Sequence, residues 1–399
     1  MAFTTSSARI WPVGPDWSNG VQETLSWATD VLQASATAVT QHRRLRPGPR
    51  RSFNFELLAN GQARRVADML LAGYSGAWDL PIWPDGQRLV APLSAGSISI
   101  SCATVGRDFI DGGRALVQSG VNAWEVVSIQ QVVSGALLLS VPTLSAHPRG
   151  ARLYPVRRAR VQDGAEERMR NDDVGRRSLT FWLDEPSDWP VLSDLPEYLG
   201  HAVLERRPDE SEDPASGYSR LAQAVDYGTS LPVVHDLPGL ALRSQQFHWR
   251  LFGRAEHGWY RSLLYTLAGR STPVWLPSWV ADMRVTADVP AGEAAITVEW
   301  SGYTLFGRHK PNRRDLRIEL SDGSVYYRRI TNAVELGDSE LLVLNAPISS
   351  EPIAKGRIRS LSLMTLTTLA SDDVEIDHMT DADGAATSTT GWLGVVPDV

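Results

Sequence analysis

The chain has 399 residues, of which 43% are hydrophobic and 21% are charged, and its formal net charge is −7. This composition is typical of globular proteins, so it excludes collagen-like and disordered classes, and the negative charge gives no sign of a sequence-independent nucleic-acid binder. A chain of this length exceeds what one hydrophobic core usually fills, so we expect two domains.

The first half of the chain predicts a strand, a helix and a rigid segment, in that order. Residues 53–57 alternate apolar and polar side chains as a half-buried strand does, and residues 63–71 have apolar side chains at helical spacing. The segment Leu80-Pro81-Ile82-Trp83 follows the helix. Short alternating strands are then predicted between turn residues, at 97–102, 124–129 and 136–144.

The second half repeats this pattern. Residues 247–251 alternate as residues 53–57 do, 194 positions earlier, and residues 259–267 resemble the same helix. The segment Leu276-Pro277-Ser278-Trp279 corresponds to the first Leu-Pro-x-Trp motif at an offset of 196. The later strands recur at 293–298, 325–330 and 340–348. We therefore predict that one unit is present twice.

The predicted fold class is mainly β (α+β), with one helix in each copy. Short alternating strands must bury one face and protect their edges, so we expect two tandem homologous units built as β-sandwiches or small barrels. The expected boundaries are 1–162 for the first unit and 163–370 for the second, which has an inserted acidic loop near 206–217. Residues 371–399 contain seven acidic residues and no Lys or Arg, and we expect an extended acidic C-terminal extension.

Three tryptophans are candidates for contacts between subunits. Trp83 and Trp279 close the two Leu-Pro-x-Trp motifs, where proline fixes φ beside a large ring. Core packing at a domain corner is the ordinary explanation of that motif, and a contact between subunits is its functional alternative. Trp392 lies in the apolar segment 391–396, which we expect to dock on a protein surface because its ring would otherwise face water.

An arginine-rich segment follows residue 41, and its two prolines favour an extended backbone. Extended arginines can clamp carboxylates of a neighbouring subunit in a bidentate manner. A solvated loop and a phosphate-binding segment are the alternatives. The candidate contact residues in this segment are Arg43, Arg44, Arg46, Arg50 and Arg51.

The sequence predicts no catalytic, cofactor-binding or metal-binding residue. Its eight histidines form no HExxH pattern, and it contains no G-x-S-x-G, G-x-G-x-x-G or Walker motif. The acidic run from Asp372 to Gly384 lacks the ligand spacing of a calcium loop. The single cysteine, Cys102, excludes an intrachain disulfide or a Cys-based zinc site, and we interpret it as a small buried hydrophobe.

The segments Trp11-Pro12-Val13, 17–23, 41–51 and Leu80-Pro81-Ile82-Trp83 together resemble tail proteins of long-tailed bacteriophages of Gram-negative bacteria, closest to distal-tail or tail-tip proteins. The resemblance implies a non-enzymatic ring component between the tail tube and the hub, around the DNA channel, with a tail-tube-like β fold. Some related hub proteins bind an iron–sulfur cluster. The lone Cys102 departs from that pattern, so no cluster is assigned.

The resemblance and the duplication together predict the partners. Three chains with two equivalent units each would make a pseudo-sixfold ring, which we favour over a homohexamer. The tail tube protein, the hub or baseplate protein and the tape-measure protein are the expected neighbours, with DNA only in transit and no membrane. The expected location is the virion tail, assembled in the host cytoplasm. A carbohydrate-binding or depolymerising host-recognition module is the alternative function, given the 14 tryptophans.

Overall fold

The structure is a computed structural model that describes residues 9–73, 76–120, 122–162, 166–211, 214–308, 310–380 and 384–396. Three residues of the predicted acidic extension, Asp381, Asp383 and Asp398, lie outside this range. Among the described residues, no helix combines the length and apolarity needed to cross a membrane.

The first unit spans residues 9–183, and a short 3-10 turn, Trp83–Asp85, follows its sixth strand. Its elements are β1 (Arg9–Ile10), β2 (Val21–Ser26), β3 (Thr29–Gln33), β4 (Thr40–Arg44), β5 (Arg50–Asn60), α1 (Gly61–Gly73), β6 (Trp78–Pro81), β7 (Gln87–Arg88), β8 (Ser99–Ser101), β9 (Arg114–Gly120), β10 (Ala123–Val133), β11 (Ala136–Leu139), β12 (Arg152–Val161), β13 (Glu167–Met169) and β14 (Val174–Leu183).

The second unit spans residues 184–396 and includes short helical turns at Gly269–Ser271, Tyr303–Gly307 and Lys355–Arg357. Its elements are β15 (Glu197–Tyr198), β16 (His201–Ala202), β17 (Ala215–Arg220), β18 (Gln223–Val225), β19 (Val233–His235), β20 (Ala241–Leu251), α2 (Gly253–Leu267), β21 (Val274–Pro277), β22 (Ala295–Glu299), β23 (Asp315–Leu320), β24 (Val325–Glu335), β25 (Ser339–Leu344), β26 (Ile358–Leu369), β27 (Asp373–His378) and β28 (Ala386–Gly394).

The chain is mainly β, as predicted, and its two units have the same topology. In the first unit the strands pair in the order β6-β12-β14-β5-β2, and in the second unit in the order β21-β26-β28-β20-β17. The helix occupies the same place in both units, because α1 directly follows β5 and α2 directly follows β20. The predicted helices were correct in position, although α2 begins six residues earlier than the pattern at 259 indicated.

Each unit also carries a smaller β subdomain with its own core. In the first unit, β8 to β11 and the adjoining loops bury a cluster that includes Ile100, Val117 and Leu153. In the second unit, β22 to β25 bury the corresponding cluster around Ile296, Ile318 and Leu342. These subdomains are built from the short strands that the sequence predicted as the second part of each repeat.

The sheets cross the domain boundaries that we expected. Strand β14, beyond the expected boundary at 162, pairs along its length with β5 of the first unit. The expected extension from 371 instead supplies β27 and β28, two strands of the second unit's sheet. Its acidic residues alternate with buried Val374 and Ile376, and strand pairing buries that apolar face. The acidic loop near 206–217 runs into edge strand β17.

Candidate functional site

The joint between the two units holds a large cluster of buried charged residues. Strand β2 of the first unit lies in the middle of it, between β5 of its own unit and β27 of the second unit. Val21, for example, faces Phe55 of β5 on one side and His378 of β27 on the other. The two units therefore share one hydrogen-bonded sheet with a fixed register.

Trp27 belongs to the first unit, but its side chain is buried in the core of the second unit. Its ring is buried and packs edge-to-face on Tyr265 of α2, with ring centroids 5.9 Å apart. Its backbone N donates to the carbonyl of Asp372 at 2.9 Å. The backbone N and Oγ1 of Thr29 each donate to the Asp372 carboxylate at 2.8 Å. Because buried aromatic rings dominate packing energies, Trp27 is the main apolar anchor of the joint.

A buried carboxylate, Glu23, lies at the centre of the joint. Strand β2 alternates, and Glu23 shares its buried face with Val21 and Leu25. Arg51 of β5 donates from Nε to Glu23 Oε1 and from Nη1 to Asp108 Oδ2, the latter at 2.5 Å. Asp108 also accepts from Arg157 at 2.5 Å. These residues form the first unit's half of an ion-pair network.

Helix α2 of the second unit supplies the other half. Arg261 donates from Nη2 to Glu23 Oε2 at 3.1 Å and from Nη1 to Asp85 Oδ2 at 3.0 Å. Arg254, two turns earlier on the helix, donates to Asp85 Oδ1 at 2.8 Å. Arg261 thus links two carboxylates of the first unit from the second, and the ion pairs cross the joint.

The guanidinium groups keep these carboxylates ionised. Burial alone would raise the pKa of Glu23, but Arg261 and Arg51 outweigh it and hold that pKa well below its ordinary value. Asp85 behaves in the same way, because Arg261 and Arg254 lower its pKa against the effect of burial. Removing one member of such a pair leaves an uncompensated charge in the interior, which typically costs about 3–5 kcal/mol.

Two buried histidines complete the cluster. His378 of β27 donates from Nε2 to Glu23 Oε2 at 2.8 Å, and the ring of His257 stands perpendicular to it with centroids 4.9 Å apart. Burial lowers the pKa of His257, and the positive charge of Arg261 lowers it further. Burial also lowers the pKa of His378, although Glu23 opposes that shift. Both rings are therefore neutral at pH 7.

His257, His378 and Glu23 have the donor set of a zinc site, with ligand atoms within 4.8 Å of one another. The surrounding charge argues against that use. Both oxygens of Glu23 already accept hydrogen bonds from arginines, and a divalent cation would add two positive charges between Arg51 and Arg261. We therefore interpret the triad as part of the ion-pair network that joins the units.

The arginine-rich segment divides into buried and exposed members. Arg51 is buried in the network, and Arg46 donates to the carbonyl of Trp27 at 2.6 Å, so both serve the joint within one chain. The expectation that they contact another subunit needs correction for that reason. Arg43, Arg44 and Arg50 are exposed and are the members still available to a neighbour.

The three candidate tryptophans lie in the interior of the chain. Trp83 packs edge-to-face on Tyr154 at 4.8 Å, and Trp279 packs on Phe247 at 5.5 Å. Trp392 is buried in the same core as Trp279. Core packing, the ordinary explanation of the Leu-Pro-x-Trp motif, is therefore the role of Trp83 and Trp279. The selection of all three tryptophans as subunit contacts is corrected, because each is buried within the chain.

Sequence reasoning missed Asp85, Asp108, His257 and Arg261. Asp85 ends the 3-10 turn after the first Leu-Pro-x-Trp motif and Asp108 lies in a loop, and the partners of both are distant in sequence. A usable signal existed for α2, since His257 and Arg261 lie four residues apart on a helix face that is otherwise apolar. Glu23, between apolar Val21 and Leu25, carried the same kind of signal in a strand.

Two open cavities on the described surface have volumes of about 360 Å³ and 310 Å³. The larger is lined by Tyr218, Phe306 and Arg313 and by no carboxylate. The smaller is lined by Arg206, Arg207 and Arg250 around a single carboxylate, Asp209. Neither holds the pair of carboxylates that glycoside hydrolysis uses.

Comparison with known proteins assigns no family. No family model matches this chain, and no curated protein matches it either.

Proposed function

We propose that this chain is a structural subunit of a bacteriophage tail tip, which forms a ring between the tail tube and the hub or baseplate around the DNA channel. The proposal rests on the sequence resemblance and on one structural observation, the head-to-tail joint between the units. The β2 side of the first unit packs on the β27 and α2 side of the second unit, so the two contact surfaces differ.

A joint between two different surfaces can repeat, which an isologous contact cannot. If the same head-to-tail contact is repeated from unit to unit, and the rotations between successive units add up to one full turn, the product is a closed ring. Three chains would supply six units, the number that matches a sixfold tube, while the whole keeps the threefold symmetry of a hub. This trimer is favoured over a homohexamer, and the same logic makes the tube, hub and tape-measure proteins its neighbours.

The buried network suits a part whose two units must keep a fixed arrangement. Ion pairs and a shared sheet fix the angle between the units, and a fixed angle is what a closed annulus requires. The two open cavities, without paired carboxylates, lend no support to a depolymerase.

Electron microscopy of the purified protein mixed with tail tube protein tests the proposal. The expected result is an annulus with a central opening that caps the end of the tubes. Host polysaccharide is incubated with the same preparation, and reducing ends are measured. A single-chain particle that binds or cleaves the polysaccharide and leaves tubes uncapped would overturn the proposal in favour of a host-recognition module.

A further inference from the structure

In the first unit, β2, Trp27 and the hairpin β3–β4 form the surface that packs on the second unit. The second unit has a corresponding surface of its own. Ser26 of β2 lies opposite Arg50, and Gly217 of β17 lies opposite Ser244, the residue that the repeat aligns with Arg50. One residue further on, Trp27 therefore corresponds to Tyr218. Each strand is followed by a two-stranded hairpin, β3–β4 in the first unit and β18–β19 in the second.

The two copies differ in what covers them. Trp27 is 2% exposed in the second unit's core, whereas its counterpart Tyr218 is 61% exposed. Val39, beside β4, forms a parallel bridge with Val396 of the second unit. Its counterpart at the repeat offset of 194, Val233 at the start of β19, is exposed. The aromatic and apolar character has been kept in the second unit. Among the described residues, Arg313 lies over the Tyr218 ring at 5.5 Å and donates to its hydroxyl, but most of the side chain stays exposed.

The hairpin β18–β19 and its loops are strongly apolar for an exposed segment. Leu231 is 88% exposed and Tyr227 is 82% exposed, and Val234 and Leu237 are exposed beside them. Tyr218 also forms a wall of the 360 Å³ cavity, next to exposed Phe306. A patch of large apolar residues around an edge strand is typical of a surface that another protein chain covers.

In the second unit, α2 and β27 are packed against the first unit. Their counterparts in the first unit, α1 and β13, have no such packing partner in the part of the chain that the structure describes. Helix α2 buries seven residues, some in its own unit's core and others, including Arg261 and Tyr265, against the first unit, whereas α1 buries only Ala67. Met69 of α1 is 70% exposed. Strand β27 pairs with β28 and β2, but its counterpart β13 pairs with β14 alone among the described residues.

We infer that β17 and the hairpin β18–β19 of one chain dock on α1 and the β13 edge of a second copy of this chain. The second copy is the occupant because the joint inside the chain already shows this contact between the equivalent surfaces. Tyr218 would take the place that Trp27 occupies, and β17 would extend the sheet beyond β13. The inference rests on the proposed ring and names its chain-to-chain contact.

A cysteine pair tests this geometry directly. A Cβ added at Gly269 would lie 2.8 Å from the Cβ of Trp27. Gly73 precedes Pro81 by eight residues, as Gly269 precedes Pro277, so it is the counterpart in the first unit. In a Cys102→Ser background, Tyr218→Cys combined with Gly73→Cys should form disulfides between chains on oxidation, with covalent trimers as the largest product. Each single variant should not form that series.

Charge substitutions supply an independent readout. Tyr218→Asp and Leu231→Asp should each weaken assembly about 30-fold or more, measured as the concentration at which rings dissociate in analytical ultracentrifugation. Val141→Asp, at an exposed site on the first unit's subdomain, is the matched control and should assemble as the unmodified chain does. Circular dichroism should be unchanged in all three, because the substituted side chains are exposed.

The outcomes separate the two proposals. Rings from the unmodified chain, lost in Tyr218→Asp and kept in Val141→Asp, support the inference. Rings that persist in Tyr218→Asp and Leu231→Asp, with no disulfide in the cysteine pair, would overturn the docking surface and leave the ring function standing. An unmodified chain that stays monomeric at all concentrations would overturn both.

Discussion

Replacing Arg261 with methionine should destabilise the protein more than any surface charge does. The side chain is buried and bridges Glu23 and Asp85 at 3.1 Å and 3.0 Å. Methionine fills a similar volume but leaves both carboxylates with one partner fewer. Because Arg51 and Arg254 still hold one each, we expect a loss of about 3–5 kcal/mol in the free energy of unfolding rather than a sum over two broken pairs.

Urea unfolding at pH 7.5 measures this loss. Arg176→Met is the matched control, since Arg176 forms an exposed ion pair with Glu56 at 3.5 Å, and such pairs contribute about 0–1 kcal/mol. Adding Glu23→Gln to Arg261→Met should recover part of the loss, because an amide replaces the uncompensated carboxylate. A loss in Arg261→Met no larger than in the control would refute the claim that this network holds the units together.

Three further predictions follow from the joint and its surroundings. Trp27→Ala should cost about 3–5 kcal/mol in thermal unfolding, because it empties a packed site in the second unit's core, whereas Trp182→Ala, at a half-exposed ring, should cost far less. Stability should fall as pH drops below about 6.5, by up to about 1.4 kcal/mol per pH unit from His257 and in the same direction from His378, measured by urea unfolding between pH 7.5 and 5.5. Burial raises the pKa of Cys102 to about 11, so a thiol reagent at pH 8 should label it much more slowly in the native protein than in urea.

The sign of the pH effect comes from the unfolded chain. Burial lowers the pKa of both histidines in the folded state, so below pH 6.5 the unfolded state binds more protons and is favoured. His257→Asn should reduce the slope. A flat profile, equal costs for the two tryptophan variants, or rapid native labelling of Cys102 would each contradict the corresponding argument.

The sequence predicted what local patterns encode. Alternation and helical spacing predicted the mainly β class, the duplication and the positions of α1 and α2, because these depend on which face of an element is apolar. The Leu-Pro-x-Trp motifs were located correctly, but the sequence did not decide between core and contact. Trp83 and Trp279 proved to be core residues.

Long-range pairing lay beyond the local patterns. Strand β27 was expected to be part of an extension because its acidic residues are conspicuous in sequence, although the alternation of Val374 and Ile376 left one more strand as the alternative. Its partner β2 lies about 350 residues away, and that distance carries no local signal. Arg51 was selected as one of five similar arginines. Only its place on the buried face of β5, opposite Leu25 of β2, distinguishes it from exposed Arg50.

The most direct test of the ring is the mass of the assembled protein under native conditions. Two equivalent units joined head to tail predict a species of three chains, about three times the 43.8 kDa chain mass. Two results would contradict the account: a particle of one chain at every concentration, or a dimer joined through identical surfaces. In neither is the head-to-tail contact between the two units repeated from chain to chain.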